Sequence, residues 1–137
     1  MAIRYLVDTN VLVHLKKSAP TSRLRTRIAE HAVGDLALSV VTEGELLFGV
    51  EKSPDPARSR ALLDSVFAYF TILPVTSEAA RAYAVIRADL ARRGAMIGNN
   101  DLWIAAQAIA SDLPLVTNNV REFARVSGLQ VEDWTAP

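Results

Sequence analysis

The sequence contains no cysteine and only two histidines, His14 and His31, among its 137 residues. Without cysteine the chain has no disulfide, no thiol nucleophile and no thiolate zinc site, and two separated histidines do not make a histidine-rich metal site. Any metal ion therefore needs oxygen ligands. The patterns G-x-x-x-x-G-K-[ST], G-x-G-x-x-G and G-x-S-x-G are also absent, so nucleoside triphosphate, dinucleotide and serine-hydrolase sites lack their motifs.

Long apolar runs are missing as well. No stretch of about 18 apolar residues occurs, and Asp8 interrupts the first apolar segment too early for a signal peptide. We therefore expect a cytoplasmic protein without a membrane partner. Half of the residues are hydrophobic, and glycine and proline number six each. This composition excludes disordered and collagen-like classes and predicts one compact domain over residues 1–137.

The charges cancel overall but not locally. Lys and Arg number 15, as do Asp and Glu, yet residues 1–35 hold six basic and three acidic side chains. Five basic residues fall in a stretch without any acid: Lys16, Lys17, Arg23, Arg25 and Arg27. This basic segment predicts contact with a phosphate backbone. The alternative is a solvated helix face, which is the commoner outcome for clustered charge.

Short apolar segments alternate with helical patterns along the chain. We expect strands at 3–7, 36–41, 71–75, 115–117 and 129–131. Helices are expected after Asp8, over 21–32 with Gly34 as the stop, from Thr42, from Asp55, over 77–93, from Asp101 and over 120–125. Pro74 indicates an edge strand or a strand end. The alternation predicts an α/β fold with a mostly parallel central sheet covered on both faces.

Polar side chains follow several of the predicted strands. Asp8 comes directly after the first strand, Glu45 lies shortly after the second, and Asp101 begins a later helix. In open parallel sheets, functional residues gather at the carboxyl ends of the strands. Carboxylates clustered there suit Mg²⁺, and without a cation they raise one another's pKa values. The sequence therefore predicts a site of oxygen ligands at this edge.

Each of these residues also has a purely structural interpretation. Asp8 and Asn10 are residue types that cap helices, and the segment 42–45 (TEGE) matches a capping box. An acid such as Asp101 is favoured in the first turn of any helix, and Asn119 can simply shape a turn. These alternatives stay open at the level of the sequence.

A phosphoryl-enzyme mechanism with Asp8 as nucleophile is a further alternative. Such sites usually carry a second acid two positions later and a lysine further along the chain. Here the second position is Asn10, and the lysines are Lys16, Lys17 and Lys52. The pattern therefore fits this chemistry poorly.

Four blocks of the sequence, in their order and spacing, resemble the PIN-domain ribonucleases and specifically the VapC-like toxins of type II toxin–antitoxin modules. The blocks are residues 6–12 (LVDTNVL), 41–46 (VTEGEL), 97–106 (IGNNDLWIAA) and 115–119 (LVTNN), and the similarity continues to Trp134. The resemblance implies a three-layer α/β/α sandwich. It also implies cleavage of RNA phosphodiester bonds with Mg²⁺, or with Mn²⁺, as cofactor.

The resemblance further assigns site residues. Four side chains match its catalytic positions: Asp8, Glu45, Asp101 and Thr117. The family's fourth acidic position falls on Asn119, so either a second metal ion is held less firmly or Glu122, one turn later, lends its carboxylate. Asn119 also motivates the alternative of a catalytically weak RNA-binding or regulatory PIN domain.

Roles and partners follow from the same resemblance. Asp8, Asp101 and Glu45 are the expected metal-binding carboxylates, with Glu45 orienting or deprotonating the attacking water. The expected substrate is a structured RNA such as tRNA, guided by the basic segment. The expected protein partners are a cognate antitoxin and a second copy, giving a homodimer or a toxin–antitoxin hetero-oligomer. Candidate contact residues are Leu12, Leu15, Leu24 and the segment 62–70, which have an equally open interpretation as ordinary core.

Overall fold

The computed structural model describes residues 2–136, which form five strands and seven helices. In chain order these elements are β1 (Tyr5–Val7), α1 (Thr9–Lys17), α2 (Arg23–Ala29), β2 (Leu36–Ser39), α3 (Val40–Glu51), α4 (Pro56–Phe67), β3 (Thr71–Leu73), α5 (Ser77–Arg93), α6 (Asn99–Ala110), β4 (Leu115–Val116), α7 (Val120–Phe123) and β5 (Val131–Glu132). No helix in this range is both long and apolar enough to cross a membrane.

The five strands form one parallel sheet in the order β3-β2-β1-β4-β5. The central strand β1 pairs on one side with β2 and on the other with β4, so that Val7 is in register with both Leu38 and Val116. The residues that follow these three strands therefore meet at one edge. β3 is an edge strand, which confirms the expectation drawn from Pro74.

Successive residues of each strand point to two hydrophobic cores on opposite faces of the sheet. Leu6, Ala37 and Leu115 pack with residues of α5 and α6 in one core. Val7, Leu38 and Val116 pack with residues of α1 and α2 in the other. The predicted three-layer α/β/α sandwich is therefore confirmed. Leu12 and Leu24, considered above as partner contacts, are buried in the second core.

The C-terminal segment packs against α2 and the residues that follow it. Trp134 is 1% exposed, stacks on His31 with 5.2 Å between ring centroids, and meets Tyr5 edge-on at 5.0 Å. The Arg27 guanidinium lies 4.9 Å from the Trp134 ring and 3.5 Å from the Glu132 carboxylate. These contacts hold β5 and the residues after it in place.

Two predicted boundaries near the functional edge were wrong. The second strand ends at Ser39 and not at Val41, because the Ser39 hydroxyl accepts the amide of Val41 at 2.9 Å and starts α3 at Val40. This cap overrides the β preference of two consecutive valines. α6 begins at Asn99 and not at Asp101, which places Asp101 inside the first helical turn.

Several of the remaining element ends differ from the predictions by one to three residues, whereas α5 has the predicted bounds. The first strand covers Tyr5–Val7, α2 ends at Ala29 ahead of Gly34, and the last strand is Val131–Glu132. The predicted stop at Gly34 was wrong because the C-cap of α2 is Glu30, whereas two other predicted caps are confirmed. The Asp55 carboxylate accepts the amide of Arg58 at 3.2 Å, and Gly94 ends α5 in the left-handed conformation with φ of 62°.

Candidate active site at the carboxyl edge of the sheet

Asp8 lies at the end of the central strand and is 1% exposed. Its Oδ2 accepts the hydroxyl proton of Thr117, the residue after β4, at 2.9 Å. Its Oδ1 is buried without a hydrogen-bond partner. Asp8 occupies the N-cap position of α1, but its side chain makes no capping hydrogen bond. The capping interpretation therefore does not account for this carboxylate.

Burial raises the pKa of Asp8 above its usual range, and the negative charge of Glu45 adds to the effect. The Thr117 hydroxyl and the nearby amides of Thr9 and Asn10 act in the opposite direction without cancelling it. A buried carboxylate oxygen without a donor is costly unless a proton or a cation satisfies it. Asp8 therefore presents an unsatisfied anionic ligand atom at this edge.

Glu45 is oriented by a chain of two hydroxyl groups. The Thr9 hydroxyl donates to Glu45 Oε1 at 2.8 Å and lies 2.8 Å from the hydroxyl of Thr42. Because Thr9 has a single hydroxyl proton, which it gives to Glu45, Thr42 is the donor to Thr9. The alternative of a capping box over residues 42–45 does not hold, since the cap of α3 is Ser39 and Glu45 faces α1.

Asp101 lies next to a second carboxylate, that of Glu122. Burial, the contact with Glu122 and the charges of Glu122, Asp8 and Glu45 together raise the pKa of Asp101 to about 7. Burial acts to raise the pKa of Glu122 too, but the Gly98 amide and the contact with Asp101 lower it on balance. Without a cation the proton therefore resides mainly on Asp101.

Asn119 connects the two parts of the site. Its backbone amide donates to the Thr117 hydroxyl at 3.0 Å, while its side-chain amide donates to Glu122 Oε2. The other oxygen, Glu122 Oε1, accepts the Gly98 amide at 2.9 Å. Glu122 is thus fixed by two donors beside Asp101. An aspartate at position 119 would repel Glu122, so Asn119 and Glu122 form a compatible pair.

The donor atoms of the acidic site determine whether it suits a divalent cation. All are oxygen donors, and Asp8 Oδ1 is buried without a partner. Within residues 2–136, however, no three His, Cys, Asp or Glu side chains are arranged so that together they would hold an ion. Mg²⁺ commonly binds through one or two carboxylates and several waters. The donor set therefore fits a partly hydrated cation better than a closed cage of three carboxylates.

The basic segment divides into two groups. The Arg25 guanidinium donates to the Leu15 carbonyl at 2.9 Å and to the Ser18 hydroxyl at 3.1 Å, so it binds the C-terminal end of α1. Arg27 contacts Glu132 and Trp134. Lys16, Lys17 and Arg23 are exposed. None of these three forms an ion pair within the described chain. Two of the five charges thus have structural partners.

Sequence reasoning did not identify Thr9 as part of the site. The structure places its hydroxyl between Thr42 and Glu45. The available signal was a hydroxyl residue next to Asp8, together with a second hydroxyl residue three positions before Glu45. Once both strands end at the same edge, these two hydroxyls come within reach of the carboxylate.

Comparison with known proteins agrees with this geometry. The PIN domain family matches residues 5–129. The ribonuclease VapC2 of Haemophilus influenzae is 38% identical over 132 residues, which cover 96% of this chain and 98% of the relative. The tRNA(fMet)-specific endonuclease VapC of Shigella flexneri is 38% identical over 133 residues, with 97% and 99% coverage. VapC nucleases with a PIN domain generally depend on a divalent metal.

Solved structures with the same fold are complexes of such proteins. The crystal structure of DNA-bound VapBC from Salmonella typhimurium gives a TM-score of 0.90 at 35% identity, covering 96% of this chain and 98% of that one. VapBC-1 from nontypeable Haemophilus influenzae gives 0.89 at 30% identity, with 99% and 100% coverage. The chain therefore belongs to the PIN-domain family and, within it, to the VapC ribonucleases.

Proposed function

We propose that this chain is the toxin of a type II toxin–antitoxin module and acts as an endoribonuclease that hydrolyses RNA phosphodiester bonds with Mg²⁺, or with Mn²⁺, as cofactor. The observation that carries the proposal is the unpartnered Oδ1 of Asp8, in a site where neighbouring carboxylates raise the pKa of Asp101 to about 7. Such an excess of carboxylate at one strand edge needs a positive charge. A divalent cation meets that need, and the bound cation can in turn hold an anionic phosphodiester.

The proposed substrate class is structured RNA, with tRNA as the first candidate. Two relatives are named tRNA(fMet)-specific endonucleases, those of Shigella flexneri and Salmonella typhimurium, at 38% and 35% identity. Each is matched over nearly its whole length. We place the reaction in the cytoplasm because that is where tRNA resides.

Asp8 and Asp101 are the residues proposed to hold the cation, with Glu45 joining through water. When bound, a divalent cation neutralises charge on the phosphate and lowers the pKa of a coordinated water. The Thr117 hydroxyl keeps Asp8 oriented through the bond to Oδ2. Asp101 must lose its proton to act as a ligand, so binding is favoured above its pKa of about 7.

Glu45 is proposed to accept a proton from the attacking water. The Thr9 hydroxyl fixes one of its carboxylate oxygens, which limits rotation of the side chain. A carboxylate held in one orientation acts as a general base with less loss of conformational freedom in the transition state. Thr9 and Thr42 are then positioning residues, because they act through Glu45.

Glu122 is proposed to supply the fourth carboxylate in place of the residue at position 119. Its two oxygens are fixed by Gly98 and Asn119, and its carboxylate contacts Asp101. Asn119 is then a positioning residue. Under this proposal the site keeps four carboxylates although position 119 carries no acid.

The exposed members of the basic segment, Lys16, Lys17 and Arg23, are proposed to contact the RNA backbone. Arg25 and Arg27 contribute positive charge to the same surface while they stabilise the fold through their own contacts. Replacing Lys16 and Lys17 with glutamine should lower the number of counterions released on RNA binding by about two, as measured from the salt dependence of the affinity. An unchanged salt dependence would contradict this role.

The proposed protein partner is a cognate antitoxin of the VapB type, together with a second toxin copy. Several solved structures with this fold are VapBC or FitAB complexes, some bound to DNA. A groove of about 670 Å³ between α1, α2 and α4 is lined mainly by apolar side chains, among them Leu15, Ile28 and Val66. We propose this groove as part of the antitoxin contact. The test is copurification with the product of an adjacent reading frame, which the Val66→Asp variant should lose.

The test of the function is direct. Purified protein without antitoxin is incubated with total cellular RNA, with and without Mg²⁺ or Mn²⁺, beside the Asp8→Asn variant, and new RNA ends are mapped by sequencing. The expected result is a dominant cleavage site that requires both the metal and Asp8. RNA binding without metal-dependent cleavage would instead favour the regulatory RNA-binding function that Asn119 motivates.

A further inference from the structure

Four side chains form a cluster on α5 and on the helix that also carries Asp101, α6: Tyr83, Arg87, Asn99 and Trp103. The rings of Tyr83 and Trp103 are stacked, with centroids 3.9 Å apart and planes 15° from parallel. Arg87 donates to the Tyr83 hydroxyl at 2.7 Å, and its guanidinium lies 5.8 Å from the Tyr83 ring centroid. The Tyr83 hydroxyl donates to Asn99 Oδ1 at 3.0 Å.

The position of this cluster follows from α6. Trp103 comes two residues after Asp101 in the same helix. One turn further, Gln107 binds the Ser39 hydroxyl at the end of β2 and donates to the Leu73 carbonyl at the end of β3, at 3.0 Å. Asn99 and Trp103, one turn apart, share the face of α6 that meets Tyr83 of α5, whereas Asp101, two residues from each, projects from roughly the opposite side of the helix. The cluster therefore adjoins the acidic site at the start of α6, where the neighbouring Gly98 amide holds Glu122.

Core packing does not account for Trp103. The ring is partly exposed and belongs to neither hydrophobic core, whereas the other tryptophan, Trp134, is 1% exposed inside the second core. Because Tyr83 covers one face of Trp103, the accessible part lies on the other face or along the ring edge. Arg87 is exposed and takes part in no ion pair within residues 2–136.

We propose that this cluster binds an unpaired base of the RNA substrate next to the scissile phosphate, with the base stacked on Trp103 and the adjoining phosphate contacted by Arg87. The inference rests on the proposed ribonuclease function and names a subsite of it. Aromatic rings accept any base, and a guanidinium adds charge for the backbone. The cluster therefore selects single-stranded over duplex RNA, because paired bases have no free face.

The test uses the fluorescence of the chain's own tryptophans. Protein in EDTA is titrated with a short single-stranded RNA oligonucleotide and, separately, with the same strand in a duplex. Stacking of a base on Trp103 should quench part of the emission, while buried Trp134 provides a constant background. We expect quenching with the single strand and little with the duplex.

Three variants and one control locate the effect. Trp103→Phe should lose the quenching yet keep most of the affinity, and Trp103→Leu should weaken binding by roughly 5- to 150-fold, as for loss of one stacked base. Arg87→Gln should lower the salt dependence by about one counterion. The control Arg81→Gln removes the same charge from the same helix, at an exposed residue paired with Glu78. It should change neither the RNA affinity nor its salt dependence.

The outcomes separate this inference from the proposed function. If the single strand quenches Trp103 but no metal-dependent cleavage occurs, the ribonuclease function fails and the base subsite stands. Unchanged affinity in both Trp103→Leu and Arg87→Gln would overturn the subsite. It would also be overturned if Trp103→Leu altered only the oligomeric mass in size-exclusion chromatography, because a second copy would then cover the cluster.

Discussion

The two carboxylates nearest the strand edge, Asp8 and Asp101, differ in what surrounds them. Asp8 is held by a hydroxyl, that of Thr117, whereas Asp101 faces another carboxylate, that of Glu122. A hydroxyl fixes geometry without changing net charge, while a pair of carboxylates requires a shared proton or a cation. The Asp8 half of the site is therefore preformed by the sheet. Burial raises the pKa of Asp8 as well, but only the Asp101 half places two carboxylates in contact, so its geometry depends on a shared proton or a cation.

The largest expected effect is the loss of Asp101. We expect Asp101→Asn to lower kcat/KM for RNA cleavage by at least about 100-fold, since metal charge stabilisation is worth several kcal/mol. The measurement is a cleavage assay with a labelled substrate at saturating Mg²⁺. Asp64→Asn, which removes an exposed carboxylate paired with Arg60, serves as the control and should cleave normally. Cleavage by Asp101→Asn at the normal rate would remove this residue from the proposed site.

Glu122→Gln is expected to have the next largest effect. It keeps the size of the side chain but removes the charge beside Asp101 and one of the two acceptor oxygens, so metal affinity should fall by about 10- to 100-fold. Titration of cleavage activity against Mg²⁺ measures this shift, and excess metal should restore much of kcat. If Asn119→Asp alone tightened metal binding while Glu122→Gln changed nothing, the fourth carboxylate would belong at position 119.

Two hydroxyl substitutions compare the halves of the site directly. Thr9→Val frees Glu45 and should lower kcat by about 10-fold with little change in metal affinity, as expected for one hydrogen bond to a charged group. Thr117→Val should instead weaken metal binding, because it acts on Asp8. Both valines match threonine in shape. Identical effects of the two variants on kcat and on metal affinity would show that the halves do not act separately.

The smallest expected effect concerns stability. The pKa of Asp101 is raised to about 7 in the folded chain from an ordinary value of 3.8. Between these values the folded state binds more protons, so the metal-free protein should lose stability as pH rises from about 4 to about 7. In EDTA, Asp101→Asn should flatten this decline and raise Tm at pH 8 by about 2–4 °C. A steeper decline in the variant would contradict the assigned direction.

The sequence predicted the sheet and its functional edge because both depend on local patterns. Short apolar runs place Asp8 and Thr117 directly after strands, and a similar run places Glu45 in the helix that follows a strand. The boundary at Ser39 was missed because a single cap outweighed the β preference of Val40 and Val41. The free energy of a hydroxyl cap is similar to the strand preference of two valines, so residue type alone does not predict which of the two prevails.

Contacts between distant segments were harder to predict. The site role of Glu122 depends on how α7 places it beside Gly98 and Asp101, which are more than 20 positions earlier. The stack of Tyr83 on Trp103 depends on the packing of α5 against α6. Residue type alone predicts neither contact, since each of these residues is equally compatible with an exposed helix face. Both contacts depend on the tertiary packing of the helices.

The parallel sheet also determines when the site can first exist during synthesis. Asp8 is made well before β4, the strand that pairs directly with β1. Thr117, the residue after β4 that binds Asp8, comes 109 positions later in the chain. Parallel pairing across such a separation forms late, because the connecting chain must first fold. A nascent chain that stops before residue 115 carries Asp8, Glu45 and Asp101 without the strand that joins them. Ribosomes that make this protein are therefore not exposed to an assembled site until β4 has been made.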